Sequence, residues 1–285
     1  MNKIDMKLFL IFIFILSNTY VANGWGAIGH NLTARIAYEL LNSNTKDLLN
    51  SYQNIKNLDQ FEGLANWADR VKFTQEYSWS YNLHFCDVYA TPLSRCFIDY
   101  KLDCVDDRCI ISAINNYTEI LRENMNNKDS LSFLIHFLGD IFQPFHIGYI
   151  EDLGANKIKI NFDKHKTNLH AVWDDYIINK RVNELGSILS FKNEIKEKLN
   201  EIDKSYPLDP LIFSDTSLKT ICNFNLYYDK GELIKNNDNI SESYYLQNLE
   251  IIKNRIAYAA FYLCQILNDI YNNTIYNKIS ILKIN

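Results

Sequence analysis

Histidine is scarce in this 285-residue chain: there are six. Proline numbers four and glycine nine, and no Pro/Gly/Ser-rich stretch offers itself as a linker. With no internal repeat either, the chain reads as one domain with ample core. Positive charge is not in excess, since the net charge is −5. That excludes a protein that grips nucleic acid by tracking many phosphates with a basic surface. Sustained two-residue alternation is missing, which excludes a sandwich or barrel. The one unbroken apolar run, residues 8–16, is too short for a membrane span of about 20 residues.

That short run has another reading. Lys3 and Lys7 precede it, the chain then turns polar, and Ala22-Asn23-Gly24 puts small residues where a signal peptidase looks. Residues 1–24 are expected to be a secretory signal cleaved after Gly24, and 25–285 the functional domain. Losing Lys3, Asp5 and Lys7 removes a net +1 and leaves the mature chain near −6. Secretion, or a lumenal or vacuolar destination, makes the six cysteines disulfide candidates, with fifteen complete pairings open. Cys104 and Cys109 bracket a short acidic loop and make the easiest local pair. Asn31, Asn116, Asn239 and Asn272 head glycosylation sequons.

Helical periodicity dominates what remains, so the expected fold class is all-α. Residues 30–41 and 110–122 carry apolar residues at helical spacing. The stretch 130–142 is almost wholly apolar, reading as a buried central helix ended by Pro144. Another helix is expected over 168–179, led by a polar loop, and a long amphipathic one over 244–271. Residues 157–162 could form one short strand.

The few histidines are placed with regularity. His136 and Asp140 lie four apart on the apolar helix and share a face; His170 and Asp174 repeat that spacing. His146 follows Pro144, His84 opens His84-Phe85-Cys86-Asp87, Asp69 sits in Ala68-Asp69-Arg70-Val71-Lys72, and His30 stands near the expected new N-terminus. A lone pair of this kind is a chance event, but an uncompensated Asp140 in so apolar a helix is costly. Metal ions account for it. Imidazole with carboxylate and without thiolate favours zinc.

The motifs Trp25-Gly26-x-x-Gly29-His30, Trp67-Ala68-Asp69, His84-Phe85-x-Asp87, His136-Phe137-x-Gly139-Asp140-x-x-Gln143-Pro144-x-His146 and Asn168-Leu169-His170-x-x-Trp173-Asp174 resemble those of the class I zinc-dependent single-strand nucleases. These are the fungal and plant nucleases of the mung-bean type and the protozoan 3′-nucleotidase/nucleases. Order and spacing match from Trp25 to about Asp174, and Arg255-Ile256-Ala257 fits as well; residues 180–235 align poorly.

The resemblance implies a single compact helical domain around three zinc ions. Asp69, His84, His136 and Asp140 would hold the first. His146, His170 and Asp174 would hold the second. The free α-amine and carbonyl of Trp25, with His30 and again Asp140, would hold the third. Asp69 would orient an attacking water and Lys72 neutralise the phosphate. Phe85 and Asp87 would receive a base, with Asn156 near the same pocket. The cystines would be Cys96–Cys222 and Cys104–Cys109, leaving Cys86 and Cys264 over. Substrates would be single-stranded RNA or DNA and 3′-nucleotides, and products would carry 5′-phosphates. No stable membrane association and no obligate protein partner are implied. One departure is Phe142, where the family usually has histidine; His165 has no family counterpart and reads as a loop residue.

Two alternatives stand beside this reading. A zinc phospholipase C-type lipid phosphodiesterase is similar in fold and metal cluster, but has Glu where Asp174 stands here. A non-catalytic secreted zinc-binding protein would be expected to lack a ligand, and every family ligand position is filled.

Overall fold

The computed structural model describes residues 25–205 and 207–282, the last ten by backbone alone. The expected leader, residues 1–24, lies outside the described residues. Twelve α-helices follow in order: α1 (Ala27–Leu40), α2 (Ser43–Gln53), α3 (Leu58–Glu62), α4 (Trp67–Val71), α5 (Tyr100–Asp103), α6 (Ile110–Glu123), α7 (Lys128–Asp140), α8 (Leu169–Ala171), α9 (Ile177–Leu185), α10 (Ile188–Glu197), α11 (Pro210–Asn223) and α12 (Glu242–Leu282). Two antiparallel hairpins interrupt them, β1 (Lys159–Phe162) with β2 (His165–Asn168), and β3 (Tyr228–Asp229) with β4 (Glu232–Leu233). The expected all-α class holds.

Helix α7 is the axis of the domain, packed by α1, α4, α6 and α12. Every residue from Ser130 to Asp140 is buried, including Ser132, His136 and Asp140, which line one face at four-residue spacing in an otherwise apolar helix. Asn127 caps its start by accepting from Ser130 N. Along its length Phe133 stacks on both Tyr117 of α6 and Phe137. The helix stops at Asp140, two residues short of the expected end. Proline disfavours helical backbone in the residue before it, and the chain tightens there. Phe142 N donates to Gly139 O at 3.2 Å and Gln143 N to Asp140 O at 2.9 Å. The Gln143 side chain then caps the short turn Pro144–Ile147.

The expected helix over 168–179 is instead three pieces. Asn168 caps α8 by accepting from Ala171 N, a π-turn spans Val172–Tyr176, and α9 continues to Leu185. The polar lead-in is a hairpin with His165 in its second strand, so only its first strand was legible. Helix α12 starts two residues before the expected span and runs past its end. Among the described residues no helix is long and apolar enough to cross a membrane. Two cystines, Cys96–Cys222 and Cys104–Cys109, are formed, while Cys86 and Cys264 are free and buried.

Candidate active site

Seven elements bring the polar residues together. Helix α7 contributes His136 and Asp140, α1 contributes His30, and α4 Asp69, with Lys72 capping its end. His84 closes a 3₁₀ run (Ser78–His84), His146 lies in the turn after Pro144, His170 in α8 and Asp174 in the π-turn.

Asp140 is the centre. Its Oδ1 lies 3.1 Å from His30 Nε2 and 3.9 Å from His146 Nδ1; its Oδ2 lies 3.1 Å from His84 Nδ1 and 3.2 Å from His136 Nε2. Asp69 Oδ1 is 3.4 Å from His136 Nε2 and accepts from Lys72 Nζ at 2.6 Å. The second pair closes as its spacing predicted, with His170 Nε2 3.2 Å from Asp174 Oδ2 and His146 Nε2 4.0 Å from Asp174 Oδ1.

The outer nitrogens are fixed by main chain. Ala65 O accepts from His136 Nδ1 at 2.7 Å, His84 O from His146 Nδ1 at 2.7 Å, and Gly154 O from His170 Nδ1 at 2.6 Å. A carbonyl only accepts, so each of these rings carries its proton on Nδ1 and can turn a lone pair on Nε2 inward when neutral.

Electrostatics favour a cation at the centre. Burial drives the ring of His84 down to about 4 and that of His146 to about 3, which keeps both neutral. Burial also pushes Asp174 up to about 7 against the pull of His170. Burial opposes ionisation of Asp140 too, yet the surrounding rings of His136, His146 and His30 hold its carboxyl well below the usual range. At His136 burial is outweighed by the carboxylates of Asp140 and Asp69, raising it to about 10. Among the described residues, the buried Nε2 atoms of His30, His84, His146 and His170, and Asp140 Oδ1, have no hydrogen-bond partner. Such atoms are costly unless something binds them.

The donor set therefore fits metal. Three groups could hold an ion: His30 with Asp69 and His136; His84 with His136 and Asp140; and His146 with His170 and Asp174. The last is the expected second site. In the first, His30 comes together with Asp69 and His136 and its ring stacks on His136 at 3.9 Å, while its Nε2 also lies 3.1 Å from Asp140 Oδ1. Trp25 is fully buried beside them, with its Cβ 2.7 Å from where a Cβ on Gly29 would lie.

These groups border a cavity of about 470 Å³. Lys72, Phe85, Asp87 and Asn156 all line it. Phe85 and Asp87 are half-buried, so Phe85 is not core, and burial raises the Asp87 carboxyl to about 6. Lys72 is buried rather than solvated. Asn156 is tied to Leu153 O through its amide at 2.8 Å.

Other residues were not singled out from sequence. Gln143 Nε2 donates to Asp174 Oδ1 at 2.5 Å and orients it; its place in the motif was the only signal. Tyr81 meets Phe85 edge-on at 5.9 Å and lines the cavity with Phe145, Lys157 and Lys159. Asp175 packs onto Gly26, where a Cβ would stand 1.6 Å from its Oδ1.

Comparison with known proteins gives the site its class. Endonuclease 1 of Arabidopsis thaliana is 30% identical over 287 residues, 92% of each chain. Nuclease S1 of Aspergillus oryzae is 41% identical over 157 residues, 53% of each chain. Nuclease P1 of Penicillium citrinum is 35% identical over 162 residues, 55% of this chain and 60% of its own. These relatives place the domain among nucleases, hydrolases of nucleic acid. Residues 25–272 match the S1/P1 Nuclease family, and the chain belongs to that family.

Proposed function

We propose that this protein is a secreted, zinc-dependent phosphodiesterase that hydrolyses single-stranded RNA or DNA to 5′-phosphorylated products and removes the phosphate from 3′-nucleotides. The observation that carries the reading is the convergence of five histidines and three aspartates, several of their buried polar atoms without a hydrogen-bond partner among the described residues, beneath a cavity lined by a ring, a carboxylate and a lysine. Asp69, His84, His136 and Asp140 would hold one ion; His146, His170 and Asp174 a second; Trp25, His30 and Asp140 a third. Imidazole and carboxylate donors without thiolate suit zinc.

Zinc, when bound, would supply Lewis-acid polarisation of the phosphate and of the attacking water. The chain's own residues do the rest. His136 and Lys72 outweigh burial and hold the Asp69 carboxyl far below its ordinary range. Asp69 therefore stays ionised and accepts a proton-bearing edge of the water, orienting it toward phosphorus. The Lys72 ammonium, buried at the cavity wall, meets a non-bridging phosphate oxygen. The face of Phe85 stacks on an unpaired base, and Asp87 accepts from its N–H groups. A base held in a duplex would first have to leave its stack, which gives the single-strand preference a cause.

Exposed Asn116 and Asn239 suit modification in a secretory compartment. The Asn31 side chain accepts from Asn66 at 2.6 Å, which disfavours it there. The deciding experiment measures bound metal by elemental analysis alongside turnover of a single-stranded oligonucleotide, its duplex and a 3′-nucleotide. Zinc near three per chain with preference for the single strand is expected. Undiminished activity after prolonged chelation would overturn the metal assignment, and hydrolysis of a choline phospholipid but not RNA would favour the lipase alternative.

A further inference from the structure

A second cavity, about 670 Å³, lies between α11 and α12. Phe142 lines it, while Phe145 and His146, three and four residues further on, line the catalytic cleft. Its walls are aromatic. Phe142 stands parallel to Tyr262 at 5.8 Å, and Phe213 packs on Tyr262 at 4.6 Å. Tyr258 stacks on Phe142 at 6.3 Å.

Arg255 borders this apolar space and is only 6% exposed. Its Nε donates to Phe142 O at 3.0 Å, and one terminal nitrogen donates to Ser217 Oγ. The guanidinium also sits over the Phe142 ring at 4.9 Å. No carboxylate among the described residues forms an ion pair with it. Glu201 and Glu250 line the same cavity but are engaged elsewhere: Lys198 reaches both, at 3.1 and 3.3 Å, and Lys253 also pairs with Glu250. Burial pulls the Arg255 pKa down to about 10, the mark of a desolvated cation without a counter-charge. Buried charges are ordinarily paired. Small-molecule sites, moreover, are apolar cavities of this size with a few convergent polar groups.

We propose that this cavity is a binding site for an amphiphilic monocarboxylate, a hydrocarbon chain lying among Phe142, Phe213, Tyr258 and Tyr262 with its carboxylate on Arg255. A planar guanidinium edge matches a carboxylate in two parallel hydrogen bonds. Lys219 also lines the cavity but is paired with Asp215 at 2.5 Å, which leaves Arg255 as the lining cation without a carboxylate partner among the described residues. The proposal is independent of the zinc assignment and of the nucleotide cleft.

Dodecanoate is a suitable probe, titrated calorimetrically into the purified protein at pH 7, with dodecanol and adenosine monophosphate as comparisons. Saturable one-to-one binding of dodecanoate is expected, with dodecanol at least 10-fold weaker. Arg255→Met should weaken dodecanoate at least 10-fold. Ile212→Trp, which fills the cavity from its wall, should abolish binding while leaving oligonucleotide turnover unchanged. Absence of saturable dodecanoate binding, equal affinity for dodecanol, or full affinity in Arg255→Met would each overturn the proposal. So would displacement of dodecanoate by adenosine monophosphate, which would make the cavity a nucleotide subsite. If Arg255→Met does not fold, the dodecanol comparison and Ile212→Trp decide the matter alone.

Discussion

Replacing Asp140 by Asn changes a single atom of the side chain, yet it tests the whole cluster. Asp140 is fully buried, and its two oxygens lie 3.1–3.2 Å from ring nitrogens of His30, His84 and His136. In the proposed arrangement it serves two of the three ions. At free zinc about 100-fold above each dissociation constant, one site stabilises the fold by about 2.7 kcal/mol. Three independent sites therefore contribute about 8 kcal/mol, and a variant keeping only the His146, His170 and Asp174 site about 2.7. For a domain of this size each kcal/mol moves Tm by roughly 2–4 °C. Zinc should then raise the wild-type Tm by roughly 16–32 °C and that of Asp140→Asn by only about 5–11 °C. Differential scanning calorimetry of metal-free and zinc-loaded proteins, with elemental analysis of the loaded forms, reads both quantities. Equal zinc-induced shifts in the two proteins, or three ions retained by the variant, would refute the sharing of Asp140.

Lys72→Met should lower kcat about 10²- to 10³-fold, the usual loss of one preorganised charge at a reacting group, with zinc content unchanged; loss of metal would show instead that Lys72 acts by holding Asp69. Asp87, raised to about 6 by burial, accepts with both oxygens only when ionised; protonated, one oxygen becomes a donor. KM for a guanine 3′-nucleotide should rise as pH falls through about 6, and Asp87→Asn should flatten that dependence; an unchanged profile would remove Asp87 from base binding. A protein beginning one residue before Trp25 lacks the α-amine proposed for the third ion. It should carry about one zinc fewer than the form beginning at Trp25 and turn over much more slowly, checked on proteins whose N-termini are verified by mass spectrometry. Equal rates would discard the amine as a ligand.

The long elements were legible because burial leaves a periodic trace. The apolar run of α7 announced a central helix, and the four-residue spacing of His136 with Asp140 survived because a regular helix enforces it. The spacing of His170 with Asp174 brought the same contact through less regular backbone. Asp174 lies in a π-turn that follows the short helix of His170, and nothing in the local residues distinguishes it from α-helix. The hairpin β1–β2 was half-visible, since His165-Lys166-Thr167-Asn168 has no apolar alternation to betray a strand. In the sequence Phe142 is legible only as a departure from the family pattern; its place among Tyr258, Tyr262 and Arg255 depends on α12, more than a hundred residues away. Likewise, that His30 faces Asp140 follows from the packing of α1 against α7. There a Cβ on Gly139 would come within 2.7 Å of His30 Nδ1.

The carbonyls of Ala65, His84 and Gly154 that hold the imidazoles belong to the peptide backbone, so the orientation of three rings is insulated from side-chain identity at those acceptors. Ala65 could change its side chain without altering the proton placement on His136, provided the peptide stays where it is. Gly154 has less latitude: its φ is +57°, and a Cβ there would lie 2.3 Å from Phe145 O. A saturation scan should therefore find the loop at Ala65 sensitive to insertion, deletion and proline, which displace the carbonyl, before it is sensitive to side-chain chemistry, whereas His84 is also constrained by its own proposed place as a ligand. Mutational drift can thus rework much of the cluster's surroundings while the three imidazoles keep their tautomers.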